Sequence, residues 1–186
     1  MMHSAVMLSA MMRSAKWSRV VIVATMLLIL AVVNGAIWQK ERQLSEGEVV
    51  YLELAPVDPR SLMQGDYMAL NFALSNDIQR ALQSRHDGDT QARDGHAVVR
   101  LDEQGIGHFQ RLADGQSTLE NDERRLHYRL RNGQVRFATD AFFFQEGHAE
   151  RYESARYGQF RVNAKGEPLL VALYDGALKP LDEAVK

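Results

Sequence analysis

The sequence predicts an α+β protein in which a single N-terminal transmembrane helix precedes a mostly antiparallel, β-rich domain with one or two short helices. The first observation is an uncharged apolar run over residues 20–38. The second is a series of short alternating segments, separated by turn residues, over residues 45–180. The third is charge: the first 40 residues carry four basic and no acidic side chains, whereas the rest carry 18 basic and 24 acidic ones. Two physically different parts therefore share one chain.

The apolar run over residues 20–38 is long enough to cross a bilayer as a helix. A helix of this length extends roughly 28 Å, close to the hydrocarbon thickness of a membrane. Trp17 and Trp38 flank the run, where interfacial aromatic anchors lie. A cleaved signal peptide is the alternative, but its apolar region is shorter and ends at a small-residue cleavage site. We therefore expect an uncleaved anchor that binds the lipid bilayer.

Basic residues set the expected orientation of this anchor. Three of them precede the span: Arg13, Lys16 and Arg19. By the positive-inside rule they hold residues 1–19 in the cytoplasm, so the domain over residues 45–180 is external. In a Gram-negative bacterium this means a single-pass inner-membrane protein with a periplasmic domain. Met12 directly precedes the basic flank, so residues 1–11 are interpreted as an over-annotated or disordered start.

In the first half of the external domain, the sequence predicts two strands and a helix. Residues 48–55 alternate apolar and polar side chains, and residues 66–74 do the same. Ser75 is expected to cap the N-terminus of a short helix over residues 76–85. These elements bracket a segment that is rich in turn residues.

The second half predicts hairpins and one more helix. Asn132-Gly133 between two alternating runs is the signature of a two-residue type I′ hairpin. Another hairpin is expected over residues 160–174, and a short helix over residues 145–156. That helix would carry three acidic residues on one face: Glu146, Glu150 and Glu153. The polar face of the first hairpin would show a basic strip: His127, Arg129, Arg131 and Arg136.

Composition excludes several kinds of chemistry. The absence of cysteine removes disulfides, thiolate nucleophiles, iron–sulfur clusters and Cys-ligated zinc. A net charge of −2 argues against a nucleic-acid partner. No metal or other cofactor is predicted, because the external histidines show no metal-ligand spacing along the chain apart from His86-Asp87-Gly88-Asp89, which is an unspecific hard-ion loop. The external histidines are His86, His96, His108, His127 and His148.

The densest candidate site is the turn-rich segment over residues 57–72. Gly65-Asp66 favours a tight turn that needs a positive backbone angle at the glycine. The segment could bind a ligand. Alternatively, its polar groups could bond within the loop, with Asp58 capping backbone amides and Arg60 paired to a carboxylate. Both interpretations stay open. Its polar members are Asp58, Arg60, Asp66 and Tyr67.

Residues 65–72, Gly-Asp-Tyr-Met-Ala-Leu-Asn-Phe, resemble the motif that names the GDYXXLXY family of small membrane-anchored bacterial proteins. Leu70 occupies the place of the motif's leucine. Phe72 stands where the last tyrosine is expected, which puts in doubt any role that needs a phenol there. A packing role at position 72 does not need the hydroxyl group.

A distal block is similar to the C-terminal half of the same family. It runs from Phe142-Phe143-Phe144 through Glu146-Gly147 to Tyr174-Asp175-Gly176, so the resemblance covers most of residues 45–176. The family has no established reaction, and its members accompany multi-pass membrane proteins. The resemblance therefore implies an accessory or binding module for a membrane protein partner, with the motif loop and Glu146-Gly147 as its contacts.

Two other functions are considered. An envelope hydrolase would use Asp58, Asp66 or Glu146 as a general base, although no recognisable motif places a nucleophile beside one. An assembly subunit would polymerise through its N-terminal helix, but a pilin-like helix needs an acidic residue early in the apolar run, and residues 20–38 contain none.

Overall fold

The computed structural model describes residues 3–55, 63–64, 67–85, 92–113 and 118–182, and for residues 3–16 and 63–64 it describes the backbone alone. The chain divides into two compact units, residues 1–42 and residues 43–186.

The first unit consists mainly of one long helix, α1 (His3–Glu46), which continues into the second unit. From Trp17 onward this helix is long and apolar enough to cross a membrane, and its apolar side chains are exposed. Asn34, a polar residue within the apolar run, donates its side-chain amide to the carbonyl of Leu30 at 2.8 Å. Its hydrogen-bonding need is thus partly met inside the helix, as lipid surroundings require. The helix predicted over residues 20–38 is confirmed, and the natural start of the chain stays a prediction.

The second unit contains ten strands among the described residues. In chain order they are β1 (Glu48–Glu53), β2 (Met63–Gln64), β3 (Tyr67–Ala69), β4 (Arg93–Leu101), β5 (Gly107–Leu112), β6 (Glu123–Arg131), β7 (Gln134–Arg136), β8 (Ala141–Phe143), β9 (Tyr157–Val162) and β10 (Pro168–Tyr174). They form three antiparallel sheets with the strand orders β1-β9-β10, β2-β3-β8 and β5-β4-β6-β7. The predicted antiparallel, β-rich architecture is confirmed.

Within the described part of the second unit, two helices accompany the sheets. The first, α2 (Ala73–Arg85), packs against β1, β5 and β7 and buries Leu74, Ile78 and Leu82. The second, α3 (Ala149–Tyr152), is a single turn that buries Tyr152. One or two short helices were expected from the sequence, and the described residues contain two beside α1.

The boundary between β3 and α2 differs from the prediction. The strand expected over residues 66–74 ends at Ala69, and the helix begins at Ala73 rather than at residue 76. Ser75 therefore lies inside the helix, where it is buried, and is not its N-cap. The amide of Leu70 still donates to Asp140, the residue before β8, but the carbonyl of Asn71 then accepts from Ala55, on another segment. Alternation of apolar residues could not reveal these separate partners.

The Asn132-Gly133 hairpin is confirmed. Both residues have positive φ angles, 52° and 73°, as a type I′ turn requires, and Arg131 pairs with Gln134 across it. The basic strip exists, but carboxylates neutralise much of it. Arg131 contacts Asp94 at 2.8 Å, and Arg136 forms an ion pair with Asp140. This face therefore does not present the unbroken positive charge that the sequence suggested.

A single hydrophobic core lies where the sheets and α2 meet. Phe160 on β9 is fully buried and faces the ring of Phe72 at 5.2 Å between centroids. Val50 and Leu52 on β1 are fully buried beside it, as the alternation over residues 48–55 predicted. With no disulfide available, burial of apolar surface is the main source of stability for this unit.

One ion pair in the four-stranded sheet has a pH dependence that can be measured. Glu123 is 2% exposed, and both of its carboxylate oxygens accept hydrogen bonds from Arg111. These bonds, and then the backbone amide of Glu120, lower the pKa of Glu123 to about 2.

Because the pKa of Glu123 is lower in the folded chain than in the unfolded chain, its contribution to stability is complete above about pH 4.5 and is lost toward pH 2. We therefore expect the free energy of unfolding to fall more steeply between pH 5 and pH 2 in the natural chain than in Glu123→Gln. Denaturant unfolding at several pH values measures this, with exposed Glu103→Gln as the control. Parallel pH profiles for the natural chain and Glu123→Gln would contradict the assignment.

Candidate functional site

The two blocks that carry the resemblance lie side by side in the structure. Strand β3 holds Tyr67, and it pairs with β8 so that Tyr67 lies opposite Phe143 and Met68 lies opposite Phe142. Strand β2 pairs with the other edge of β3. A small three-stranded sheet thus joins the GDY motif to the distal phenylalanine block, which are far apart in the sequence.

This motif sheet, β2-β3-β8, carries an aromatic pair in which Tyr67 is half-buried and Phe143 is exposed. The rings of Tyr67 and Phe143 lie 5.8 Å apart, and the side chain of Phe143 is 75% exposed. Its neighbours Phe142 and Phe144 pack instead on Tyr152, at 5.2 and 5.0 Å. Phe142 and Phe144 are thus used inside the domain. Most of the surface of Phe143 is available for an outside contact.

The end of the motif belongs to the core. Phe72 is 3% exposed, and its ring meets Phe137 at 6.4 Å and Phe160 at 5.2 Å, edge to face. Leu70 is half-buried and packs against the same core. The phenylalanine at position 72 is thus a packing residue, consistent with the loss of the hydroxyl that the family motif carries.

A cavity of about 240 Å³ lies beside the end of the motif. Leu70 and Phe72 form part of its apolar wall, and Asn71, Gln79 and Arg136 are among its polar members. Gln79 donates to the carbonyl of Gly133 at 2.9 Å. The lining offers both donors and acceptors, so the cavity suits a small polar group.

The second predicted block is a turn and not part of a helix. Gly147 has a φ angle of +82°, and Glu146 before it is exposed. The helix expected over residues 145–156 is reduced to α3, because the left-handed glycine separates Glu146 from the helical turn. Glu146, Glu150 and Glu153 therefore do not share one helix face, and that expectation is wrong.

Beyond this turn lies a wider cleft of about 650 Å³. His148, Arg151 and Tyr152 line one side, and Tyr174 lines another. Burial, and then the hydrogen bond to Asp182, raise the pKa of Tyr152 to about 12. The phenol therefore stays protonated at neutral pH and donates to the Asp182 carboxylate.

Four predicted site residues lie outside the described part of the chain: Asp58, Arg60, Gly65 and Asp66. Their role as a binding loop stays a prediction. Tyr67, Leu70, Phe72, Glu146 and Gly147 are described, and the structure places the first three on the motif sheet or in the core behind it.

The described carboxyl groups with shifted pKa values are unsuited to general base catalysis. Burial raises the pKa of Asp102, but hydrogen bonds from His108 and two backbone amides outweigh it and lower the value overall. The pKa of Glu123 is also lowered. A general base works best with a pKa near the operating pH, so neither carboxylate fits. Within the described residues, no group of three or more His, Asp and Glu side chains could hold a metal.

Gly147 and Gly166 provide a matched test of local geometry. Both have φ angles near +80°, where any L-residue costs about 1–2 kcal/mol. An added Cβ at Gly147 meets nothing within 4 Å, whereas at Gly166 it would lie 2.6 Å from the carbonyl oxygen of Arg125. We expect Gly166→Ala to cost about 1–3 kcal/mol more than Gly147→Ala, measured by denaturant unfolding. Equal losses in the two variants would show that the close approach at Gly166 does not exist.

The fold and the site together define an α+β protein with an N-terminal apolar helix and an exposed phenylalanine, Phe143, paired with Tyr67 on its motif sheet. The family model described as "GDYXXLXY protein" matches residues 29–173. The chain belongs to the GDYXXLXY family. No curated protein and no solved structure matches the chain.

Proposed function

We propose that this protein is a membrane-anchored envelope protein of bacteria that acts as an accessory or binding module for a multi-pass membrane partner. Helix α1 anchors it in the inner membrane, with the basic N-terminus in the cytoplasm and the domain in the periplasm. The basic flank at Arg13, Lys16 and Arg19 supports this orientation, because such residues are retained on the cytoplasmic side.

The observation that carries the proposal is the exposure of Phe143. Phe143 is 75% exposed, so its own sheet buries only a small part of it. It pairs directly with Tyr67 of the motif, so the contact surface and the family motif coincide. Aromatic side chains are enriched among the residues that dominate binding energy at protein interfaces.

We expect Phe143→Ser to release the partner. Loss of a dominant interface aromatic costs at least about 2 kcal/mol, or about 30-fold in affinity. The test is recovery of the full-length protein in mild detergent, followed by identification and quantification of the membrane proteins that co-purify. Val171→Ser is the matched control, because Val171 is also an exposed apolar residue on a strand but lies on β10, outside the motif sheet.

Two outcomes would contradict the proposal. The natural chain recovers no membrane protein, or Phe143→Ser recovers the same partner in the same amount as the natural chain. Equal loss of the partner from Phe143→Ser and Val171→Ser would show that the contact is not specific to the motif sheet.

A further inference from the structure

The cavity beside the end of the motif contains a buried hydroxyl group that the described residues leave without a partner. Ser75, in the first turn of α2, lines this cavity and is 6% exposed. Its backbone amide donates to the carbonyl of Phe72 at 2.9 Å, but its hydroxyl makes no hydrogen bond to any residue that the structure describes. A buried hydroxyl without a partner is costly, so this one points to a group that enters the cavity from outside the chain.

Carboxamide side chains surround the same cavity. Each carboxamide offers two N–H donors and one carbonyl acceptor. Among the described residues, this set forms two hydrogen bonds: Gln79 donates to the carbonyl of Gly133, and the carbonyl of Gln134 accepts from Arg136 at 3.3 Å. Most of its donors and acceptors are therefore available to a ligand. The set consists of Asn71, Asn76, Gln79 and Gln134.

The charges at this cavity cancel. Two of the described residues that line it are charged, Arg136 and Asp140, and they form an ion pair with each other. An ionic ligand would have to displace one member of this pair to obtain a counter-charge. Leu70, Phe72 and Phe137 supply an apolar wall beside the polar groups. The cavity therefore suits an uncharged ligand that carries several groups able to donate and accept hydrogen bonds, and that also has an apolar face.

We propose that this cavity binds a single sugar ring, whose hydroxyl groups bond to the hydroxyl of Ser75 and to the carboxamides. A sugar hydroxyl both donates and accepts, as a carboxamide does, and the C–H face of the ring can lie on the apolar wall. The cavity volume of about 240 Å³ is below the roughly 300–1,000 Å³ of sites for drug-sized ligands, which limits the ligand to about one ring. Phe143 is not part of this lining, so the site does not depend on the proposed partner contact.

Saturation-transfer NMR with the full-length chain tests the site. The probes are D-glucose, D-galactose and N-acetyl-D-glucosamine, in lauryldimethylamine oxide, because maltoside and glucoside detergents carry sugar headgroups. At least one probe should give a saturable signal. Ser75→Ala should lower its affinity about threefold to tenfold, the effect of one hydrogen bond between uncharged groups. The methyl glycoside of the bound sugar distinguishes two sources: unchanged affinity indicates the terminal sugar of a larger molecule, and lost affinity indicates a free sugar.

Ser84→Ala is the matched control. Ser84 lies on the same helix and is exposed, and its hydroxyl donates to the carbonyl of Arg80 at 2.9 Å rather than lining the cavity. Its loss should leave the sugar affinity unchanged. Asn76→Ala is a second test variant, because Asn76 is exposed and lines the cavity, so that its loss should weaken binding without unfolding the chain.

Denaturant unfolding without sugar separates a binding role of Ser75 from a structural one. Since its hydroxyl has no partner among the described residues, Ser75→Ala should leave the urea midpoint unchanged or raise it. A lowered midpoint would mean that the hydroxyl stabilises the fold, against the binding role.

Three further results would overturn the proposal. None of the three sugars binds, Ser75→Ala and Asn76→Ala both bind as tightly as the natural chain, or Ser84→Ala loses as much affinity as they do. D-glucuronate, which adds a carboxylate to the sugar ring, should bind no better than D-glucose. Tighter binding of D-glucuronate, lost in Arg136→Gln, would show that the cavity recognises an anion instead of an uncharged sugar.

Discussion

Replacing Phe160 with alanine is expected to lower the free energy of unfolding by about 3–5 kcal/mol, because it leaves a cavity where the sheets meet. The side chain is fully buried on β9, between Val50 of β1 and Leu170 of β10, and its ring contacts Phe72. A loss of this size is a large fraction of the roughly 5–15 kcal/mol of a typical domain. We therefore expect the second unit of Phe160→Ala to unfold at a clearly lower urea concentration than that of the natural chain.

Far-UV circular dichroism in urea measures this change, since the two tryptophans both lie in α1 and do not report on the sheets. Val171→Ala on β10 is the control, and its half-exposed side chain should change stability by less than about 0.5 kcal/mol. Equal losses for the two variants would contradict the central position of Phe160.

Two arginines in the middle of the apolar helix are expected to abolish membrane association. Each arginine at the centre of a span costs about 2.5–3.5 kcal/mol, and each lost leucine or isoleucine removes about 0.5 kcal/mol. Leu28→Arg/Ile29→Arg should therefore disfavour insertion by about 6–8 kcal/mol. The protein should move from the membrane pellet to the soluble fraction after alkaline extraction.

Leu28→Ala/Ile29→Ala is the matched control, because it shortens the same two side chains without adding charge and should stay in the pellet. A double arginine variant that still resists alkaline extraction would show that α1 is not what holds the protein on the membrane.

Features determined by neighbouring residues could be predicted from the sequence. The apolar helix, the strand at residues 48–55 and the Asn132-Gly133 hairpin all follow from side-chain periodicity or from a preferred backbone angle. Each of them depends on interactions within a few residues, so the tertiary surroundings reinforce the local preference.

Features determined by distant partners could not be predicted. The strand inside the motif ends at Ala69: Leu70 still bonds to Asp140 beside β8, but Asn71 then bonds to Ala55 on another segment, a partner that no local pattern indicates. The helix expected over residues 145–156 fails for a local reason instead, because Gly147 adopts a positive φ angle before the helical turn. In both places the periodicity of apolar or acidic residues favoured an element longer than the one that forms.

The candidate site shows the same division. The sequence by itself determined the apolar helix, the antiparallel domain and the motif residues Tyr67, Leu70 and Phe72. Only the tertiary structure decided that Tyr67 lies opposite Phe143 and that Phe72 packs against Phe160. The physical reason is strand register: side chains on separate strands meet only when the pairing is set, and pairing depends on the burial of the whole core rather than on any local segment.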